Sequence, residues 1–482
     1  MSRELHELGV AEIAAGLNAK AFSSAELTGH LLGRIDANQS LGAFLVVDRE
    51  QALAQASAAD ARRAAGQARG ALDGVPMAHK DIFVTTDFTS TAASKMLVGA
   101  AGGYRSPFDA TVVAKLKAAG TVCVGKLNCD EFAMGGANEN SAFGVVRNPW
   151  DATRIPGGSS GGTAAAIAAR IVPSGLGTDT GGSTRVPAAL CGIVGLRPSV
   201  GNGGAERRYD GAGVVPISHT RDTVGPMGRS VADVALLDAV ITGTPLASSV
   251  PLRGLRIGVP ASFWAGIDLQ VAAVMAAARA KLQAAGVVFV DVDIPTLAEV
   301  NNKVSFQLAL HEPIADIPAY LAATGVTGIT LADVAAGVAS PDVKGAFGAI
   351  LADAFGKDYD AAMRTHRPRL RSLYDGYFRA AALDAMLFPT TIAPAPLIDL
   401  ANGSGKVSIN GGAAVDTFAT YIRNTDPGSN AGIPGLSLPA GLTNSGLPVG
   451  MELDGPVGSD ARLLGIGMAI ESLLGTLPAP LL

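Results

Sequence analysis

Two glycine- and serine-rich stretches stand in the middle of this chain, Gly157-Gly-Ser-Ser-Gly-Gly162 and Gly177-Thr-Asp-Thr-Gly-Gly-Ser183. A helix-like segment, 164–169, and a short apolar segment, 171–176, join them. Glycines beside a serine remove side chains around its hydroxyl and let backbone N–H groups point at one spot, as an acyl-transfer oxyanion requires. A glycine-rich turn can also cradle a phosphate or simply pack tightly, but two such loops together favour catalysis.

Three other motifs fit parts of the sequence less well. Gly157-Gly-Ser-Ser-Gly161 fits the G-x-S-x-G nucleophile elbow, but the preceding residues 148–156 are not the apolar strand which that motif requires. Gly120-Thr-Val-Cys-Val-Gly-Lys126 imitates a P-loop, yet Leu127 stands where a Ser or Thr would hold magnesium, and its middle residues predict a strand. Gly175-Leu-Gly177 begins a dinucleotide fingerprint whose third glycine comes one residue late.

The composition is that of a globular chain with a large core. Hydrophobic residues make up 48 % of the 482 residues, and glycine, with 60 residues, is unusually frequent. The net charge of −5 comes from interspersed charges, so the sequence predicts neither a nucleic-acid partner nor an anionic membrane surface. Residues 1–9 are polar and no apolar run reaches 18 residues, so we expect no signal peptide and no membrane span.

Cysteine and histidine usage bears on compartment and metal binding. Only three cysteines occur, which favours a reducing compartment and hence the cytoplasm. Cys123 and Cys129 form no CxxC pair, and the six histidines form no H-x-x-x-H pair. We therefore expect no metal site.

The order of apolar segments predicts one large α/β domain. Residues from about 8 to 67 have helical periodicity, with a capping-box-like start at Ser23. Short apolar runs bounded by Gly and Pro predict strands, and they lie at 75–78, 121–124, 255–259, 287–292, 385–389 and 436–439. The predicted organisation is a helical N-terminal layer, 1–70, followed by a catalytic domain, 71–482, with a helical insert at about 297–384.

Lys80 ends one of these apolar runs, in Gly74-Val-Pro-Met-Ala-His-Lys80. A lysine taken at random is a solvated surface residue. At the end of a buried strand, however, desolvation lowers the pKa of the ammonium group towards the range of a useful base.

Lys80 and the two serine stretches together resemble the amidase signature family, and the likeness runs from about residue 8 to 470. It implies that family's fold, a large mixed sheet with helices on both faces (α/β/α), and catalysis without a cofactor. The resemblance makes Ser183 the acylated nucleophile and Ser159 a bridging serine that follows a cis peptide bond. Lys80 is the base in this scheme. The implied oxyanion-hole donors are the backbone N–H groups of Ser183 and of Thr180, Gly181 and Gly182.

The two halves of the chain resemble different members of this family. Residues 125–134 and 147–151 resemble the glutaminase component of glutamyl-tRNA(Gln) amidotransferase, which feeds ammonia to a partner. Residues 208–227 and 422–432 resemble stand-alone indoleacetamide and mandelamide hydrolases, and the amidotransferase's usual stretch after the nucleophile is missing. The second half usually shapes the acyl pocket, so we expect an amidase acting on small aryl or arylalkyl amides.

Several alternatives stay open at this point. They are the glutaminase of the amidotransferase, a carbamate, anilide or ester hydrolase of the same family, and a binding module without activity. The retention of all three triad positions speaks against the last. Family members are often dimers, so the resemblance is compatible with a homodimer.

Overall fold

The computed structural model describes residues 4–99, 103–139, 142–201, 204, 206–401 and 403–481. The ends of the predicted ranges 1–70 and 71–482, namely residues 1–3 and 482, lie outside the described residues. None of the helices in the described part of the chain is both long and apolar enough to cross a membrane.

Eleven strands of the described residues form one mixed sheet. The strands in chain order are β1 Phe44–Val47, β2 Pro76–Lys80, β3 Val122–Leu127, β4 Ser174–Asp179, β5 Val194–Arg197, β6 Thr223–Gly228, β7 Arg256–Val259, β8 Val288–Asp291, β9 Ala385–Pro389, β10 Lys406–Val407, β11 Val415–Asp416, β12 Gly435–Leu442 and β13 Pro448–Asp454. The short pair β10 and β11 forms a separate ribbon.

The sheet order is β1-β3-β2-β4-β6-β5-β12-β13-β9-β7-β8. Strand β2 runs parallel to both β3 and β4. Strands β4, β6, β5, β12, β13 and β9 pair antiparallel in succession, and β7 is parallel to β9 and β8. Since β2 and β4 point the same way, their C-terminal residues, Lys80 and Asp179, reach the same edge of the sheet.

Helices surround this sheet. Their bounds are α1 Val10–Asn18, α2 Ser24–Ala37, α3 Arg49–Ala64, α4 Thr111–Ala118, α5 Gly161–Ala168, α6 Arg185–Cys191, α7 Val231–Thr242, α8 Ala261–Trp264, α9 Leu269–Ala284, α10 Leu297–Asn302, α11 Ser305–Ala309, α12 Pro313–Ala323, α13 Leu331–Gly337, α14 Pro341–Leu351, α15 Gly356–Ala361, α16 Arg367–Ala380, α17 Thr417–Ile422, α18 Asp426–Ala431 and α19 Asp460–Leu474. Ser23 caps α2, where its side chain accepts a 3.0 Å hydrogen bond from the backbone N–H of Glu26.

The sheet is covered on both faces, as the α/β/α architecture requires. Met77 and Ala78 are neighbours on β2 and point to opposite faces. Met77 belongs to a core built with α1, α4 and α7, whereas Ala78 belongs to a core built with α3 and α5. Both side chains are completely buried, so the strand is apolar along its whole length instead of alternating.

One segment departs from the sequence-based expectation. Helices alone were expected between about 8 and 67, but Phe44–Val47 forms strand β1, paired with β3 at the edge of the sheet. The reason is local, because Phe-Leu-Val-Val is aromatic and β-branched and lies between two helix caps, Gly42 and Asp48. The six predicted strands are confirmed within one to three residues at each end.

Candidate active site

Lys80 is the last residue of β2, and its side chain is completely buried. Its Nζ lies 2.7 Å from Oγ of Ser159 and 3.0 Å from Oγ1 of Thr178. Burial lowers the pKa of Lys80 to about 8, although nearby acidic groups partly oppose this effect. A substantial fraction of this lysine is therefore neutral at a mildly alkaline pH and able to accept a proton.

Ser159 lies in the loop that leads into α5, and the peptide bond between Gly158 and Ser159 is cis. The carbonyl oxygen of Ser159 accepts a hydrogen bond from the backbone N–H of Asp130 at 3.3 Å. A Cβ atom on Gly158 would stand 2.1 Å from Oδ2 of Asp130, so only glycine fits at this position. The buried Asp130 carboxyl thus forms the back wall against which the Ser159 loop packs.

Ser183 lies in the loop between β4 and α6, and a neighbouring serine ties that loop to Ser159. The backbone N–H of Ser160 donates a 3.1 Å hydrogen bond to the carbonyl oxygen of Ser183. The Oγ of Ser160 donates to the carbonyl oxygen of Thr178 at 3.3 Å and accepts from the backbone N–H of Thr178 at 3.2 Å. The two glycine-rich stretches therefore form one hydrogen-bonded unit.

The peptide groups before Ser183 all face the same way. Side chains behind the loop bind three successive carbonyl oxygens: Arg197 binds that of Asp179, Arg221 that of Thr180 and Thr425 that of Gly181. The backbone N–H groups of residues 180–183 find no acceptor among the described residues. Because buried N–H groups are normally paired, this row of free donors is suited to an anionic ligand.

Gly182 allows this arrangement of the loop. Its φ of +145° belongs to the region that favours glycine. A Cβ atom on it would also stand 2.3 Å from Oγ1 of Thr425. This explains why a glycine directly precedes the serine.

A buried charge network holds the loop from behind. Arg185 lies between Asp179, at 3.0 Å, and Glu452, at 2.6 Å. Arg197 also contacts Asp179, at 3.2 Å. Burial raises the pKa of Asp179, but the two guanidinium groups outweigh this effect and hold the pKa well below its usual range. A buried carboxylate satisfied in this way is ionised and fixes the start of the loop.

Ser183 opens onto a cavity of about 530 Å³. The cavity walls are largely apolar and come from the loop after β3, from α11, from α14 and from α17; its larger side chains are Met134, Ile217, Phe306, Leu310, Phe418 and Ile422. Thr180, Gly181 and Ser183 lie at one wall. An apolar chamber next to a row of free N–H groups can hold an aromatic acyl group with its carbonyl oxygen at those donors.

An ion pair closes one wall of this cavity. Arg221 Nη2 lies 2.6 Å from Oδ1 of Asp426, whose Oδ2 accepts hydrogen bonds from Asn301 and Asn430 at 2.8 and 3.0 Å. Arg221 also donates to the carbonyl oxygen of Ser305 at 3.0 Å. Both charged groups are therefore saturated by contacts within the protein.

Most of the residues singled out from the sequence meet at this site. The structure brings Lys80 and Ser159 into contact and places Ser183, Thr180 and Gly181 at the cavity wall. The sequence reasoning did not single out Thr178, although it lies within the quoted stretch 177–183. Asp130, Arg221 and Asp426 were also missed, because they meet the site only through the fold.

Two groups of potential metal ligands lie outside this site. Glu4, His6 and His30 form one, and His219, Glu312 and Asp316 form the other, each with ligand atoms within 4.8 Å of one another. In the second group, Glu312 already accepts hydrogen bonds from Ser218, Thr220 and Tyr359. The residues of each group are distant in sequence, so spacing gave no sign of them.

Comparison with known proteins gives consistent matches along the chain. A family model described as Amidase matches residues 26–464. The chain is 42 % identical over 463 residues to indoleacetamide hydrolase of Rhizobium radiobacter, which covers 95 % of both chains. It is 40 % identical over 493 residues to mandelamide hydrolase of Pseudomonas putida, which covers 99 % of this chain and 93 % of the relative.

Two further matches bear on the fold and on the alternatives. The glutamyl-tRNA(Gln) amidotransferase component of Anaeromyxobacter sp. (strain K) that corresponds to this chain is 40 % identical over 514 residues and covers 99 % of both chains. A crystal structure of an amidase superimposes with a TM-score of 0.84 at 30 % identity and covers 97 % of this chain and 100 % of the other. The fold and the residues quoted in the sequence thus point in the same direction.

Proposed function

This chain belongs to the amidase family, and we propose that it hydrolyses small aryl or arylalkyl amides to the carboxylic acid and ammonia or an amine. The observation that carries the proposal is the 2.7 Å contact between Lys80 Nζ and Ser159 Oγ, next to a loop that presents Ser183 to an apolar cavity. The proposed catalytic residues are Lys80, Ser159 and Ser183. No cofactor takes part.

The proposed reaction starts with a proton transfer. Neutral Lys80 takes the proton of Ser159, which in turn takes the proton of Ser183 as its Oγ attacks the amide carbon. The tetrahedral intermediate collapses when the C–N bond breaks, and the leaving amine receives a proton through Ser159. An acyl-enzyme on Ser183 results. Water then attacks the ester along the same proton path and releases the carboxylic acid with Ser183 restored.

The backbone donors before the nucleophile have a defined role in this scheme. The carbonyl oxygen becomes an oxyanion in the intermediate, and the free N–H groups of Thr180, Gly181, Gly182 and Ser183 are the proposed donors to it. Their carbonyl groups are held from behind, so the donors need no rearrangement as charge develops. Removal of one such donor typically costs about 10²–10³ in kcat.

The cavity supports an aromatic acyl group. Its volume of about 530 Å³ and its walls, with Phe306, Leu310 and Phe418, suit an indole or phenyl ring better than a small polar side chain. The relatives named for indoleacetamide and mandelamide hydrolysis are in accord with this substrate class.

Glutaminase activity is the second candidate, because an amidotransferase component matches the whole chain. Glutamine would bring an α-carboxylate into the cavity, and this group needs a cation. Among the lining residues that the structure describes, Arg221 is the cation, and Asp426 already neutralises it. The geometry therefore favours the aryl amide over glutamine.

Ammonia release from a panel of amides tests the proposal. The purified chain is expected to hydrolyse indoleacetamide, phenylacetamide or mandelamide without a partner protein, and Ser183→Ala should lose this activity. Ser372→Ala, an exposed serine on α16, is the matched control and should behave like the unmodified protein. Cleavage of glutamine alone, and only with a partner protein, would establish the second candidate instead. Anilides and carbamates in the panel cover the remaining alternatives.

The other predictions from the sequence keep that status. The cytoplasmic location and the homodimer are still expectations, as is the division at about residue 70 with an insert at about 297–384. A binding module without activity is the alternative that the loss of turnover in Ser183→Ala would exclude.

A further inference from the structure

The charged side chains of the Ser183 cavity do not balance. Its charged lining residues within the described chain are Arg221, Asp342, Asp416 and Asp426. Arg221 and Asp426 neutralise each other through their 2.6 Å ion pair. Two carboxylates, Asp342 and Asp416, are left in an otherwise apolar chamber.

Asp416 and Asp342 differ in what they do. Asp416 caps α17, where its Oδ1 accepts a 2.9 Å hydrogen bond from the backbone N–H of Ala419. Asp342 lies in the first turn of α14, and its Oδ1 accepts a hydrogen bond from the next residue, Val343, at 2.9 Å. No Lys, Arg or His in the described part of the chain forms an ion pair with Asp342. Its charge is therefore available to a ligand.

Other acidic groups lie beside Asp342. Glu131, a completely buried carboxylate, accepts hydrogen bonds at 2.9 and 2.7 Å from the backbone N–H groups of Ala339 and Ser340, just before α14. Asp130 is buried behind Gly135, which lines the cavity, and its Oδ2 has no hydrogen-bond partner among the described residues. Burial raises the pKa of Asp342, and Glu131 raises it further. A cation in front of Asp342 would relieve this repulsion.

We infer that Asp342 makes the cavity selective for aryl amides whose acyl part carries a protonated amine, as in the amides of aromatic amino acids. The ammonium group pairs with the Asp342 carboxylate while the ring packs on the apolar wall around Phe306 and Phe418. A negatively charged substituent is disfavoured by the same carboxylate. The inference rests on the proposed amidase function and adds a substrate class to it.

Paired substrates test the role of the charge. Tryptophanamide is compared with indole-3-propionamide, which lacks only the amino group, and 4-(aminomethyl)phenylacetamide is compared with 4-methylphenylacetamide. The two pairs carry the ammonium near to and far from the scissile bond. For each pair, the ratio of kcat/KM for the cationic over the neutral amide is measured in the unmodified protein and in Asp342→Asn. Asp358→Asn, which removes an exposed carboxylate of α15 outside the cavity, is the matched control.

The expected result is a ratio that falls roughly tenfold in Asp342→Asn for at least one pair, as for a close charge pair in a partly desolvated site. Asp358→Asn should keep the ratio of the unmodified protein. A ratio that stays within twofold of the original for both pairs in Asp342→Asn overturns the inference, even if the neutral amides are hydrolysed. Failure to hydrolyse any aryl amide would instead overturn the proposed function, so the two failures are distinguishable.

Discussion

Oγ1 of Thr178 lies 3.0 Å from Nζ of Lys80, so this lysine has a second hydroxyl partner besides Ser159. Thr178 is on β4 and Lys80 ends the parallel neighbour β2, so the contact links adjacent strands at one edge of the sheet. With two hydroxyl partners, the lysine side chain has a fixed direction. Thr178 is thus a positioning residue for the proposed base.

Thr178→Val should lower kcat about tenfold, because the lysine loses one hydrogen bond that aims it at Ser159. KM should change little, and the acidic limb of the pH profile should move. Thr178→Ser, which keeps the hydroxyl, should restore most of the rate. Thr163→Val serves as control, since Thr163 is a buried threonine of α5 that bonds the carbonyl oxygen of Leu176. Equal rates in Thr178→Val and the unmodified protein would contradict this role.

The pH dependence of kcat/KM reports the proposed base. Burial lowers the pKa of Lys80 to about 8, and only neutral lysine accepts a proton. The rate should therefore rise about tenfold per pH unit below that value and level off above it. Lys80→Ala should lose activity by about 10⁴-fold, in line with other catalytic bases. A profile that stays flat between pH 6 and 9, with an active Lys80→Ala variant, would exclude lysine as the base.

Gly158→Ala should destabilise the protein by about 1–3 kcal/mol, as overpacking of a buried site does. The new Cβ would stand 2.1 Å from Oδ2 of Asp130 and 2.8 Å from the backbone of Gly136. Gly29→Ala is the control, because this glycine of α2 has open space around it and its substitution should stabilise the helix by about 0.5–1 kcal/mol. Denaturant unfolding measures both effects. Similar free energies of unfolding for the two variants would contradict the packing described here.

Ala349→Trp should narrow the acyl cavity from the side of α14. Indoleacetamide hydrolysis should fall at least about tenfold in kcat/KM, whereas a short aliphatic amide such as propionamide should be affected much less. Gly348→Ala, on the same helix but in open space, should leave both substrates unaffected. An equal loss for both amides would mean that this cavity does not hold the acyl group.

The sequence predicted the parts of the fold that local pattern determines. The apolar run 385–389 forms β9 over the same residues, and Lys80 ends β2 as expected. Strands β5 and β6 were not predicted, because Val194–Arg197 and Thr223–Gly228 are short and rich in glycine, and neighbouring strands stabilise them.

The candidate site follows the same division. Lys80, Ser159 and Ser183 could be named because they lie in recognisable stretches. Arg221 and Asp426, by contrast, are 205 residues apart and meet only when α18 packs near the loop after β4. Asp342 lies in the helical region after residue 297, where the sequence shows only helical periodicity. Long-range contacts of this kind leave no mark on the spacing of residues.

Covalent labelling of Ser183 tests the central claim most directly. A serine-directed phosphonate is added to the unmodified protein and to Ser183→Ala, and peptide mass spectrometry locates the adduct. We expect one adduct on Ser183, loss of amide hydrolysis in step with labelling, and no adduct in Ser183→Ala. An adduct on Ser159 in the unmodified protein, or undiminished hydrolysis by Ser183→Ala, would contradict the proposed role of Ser183 as nucleophile.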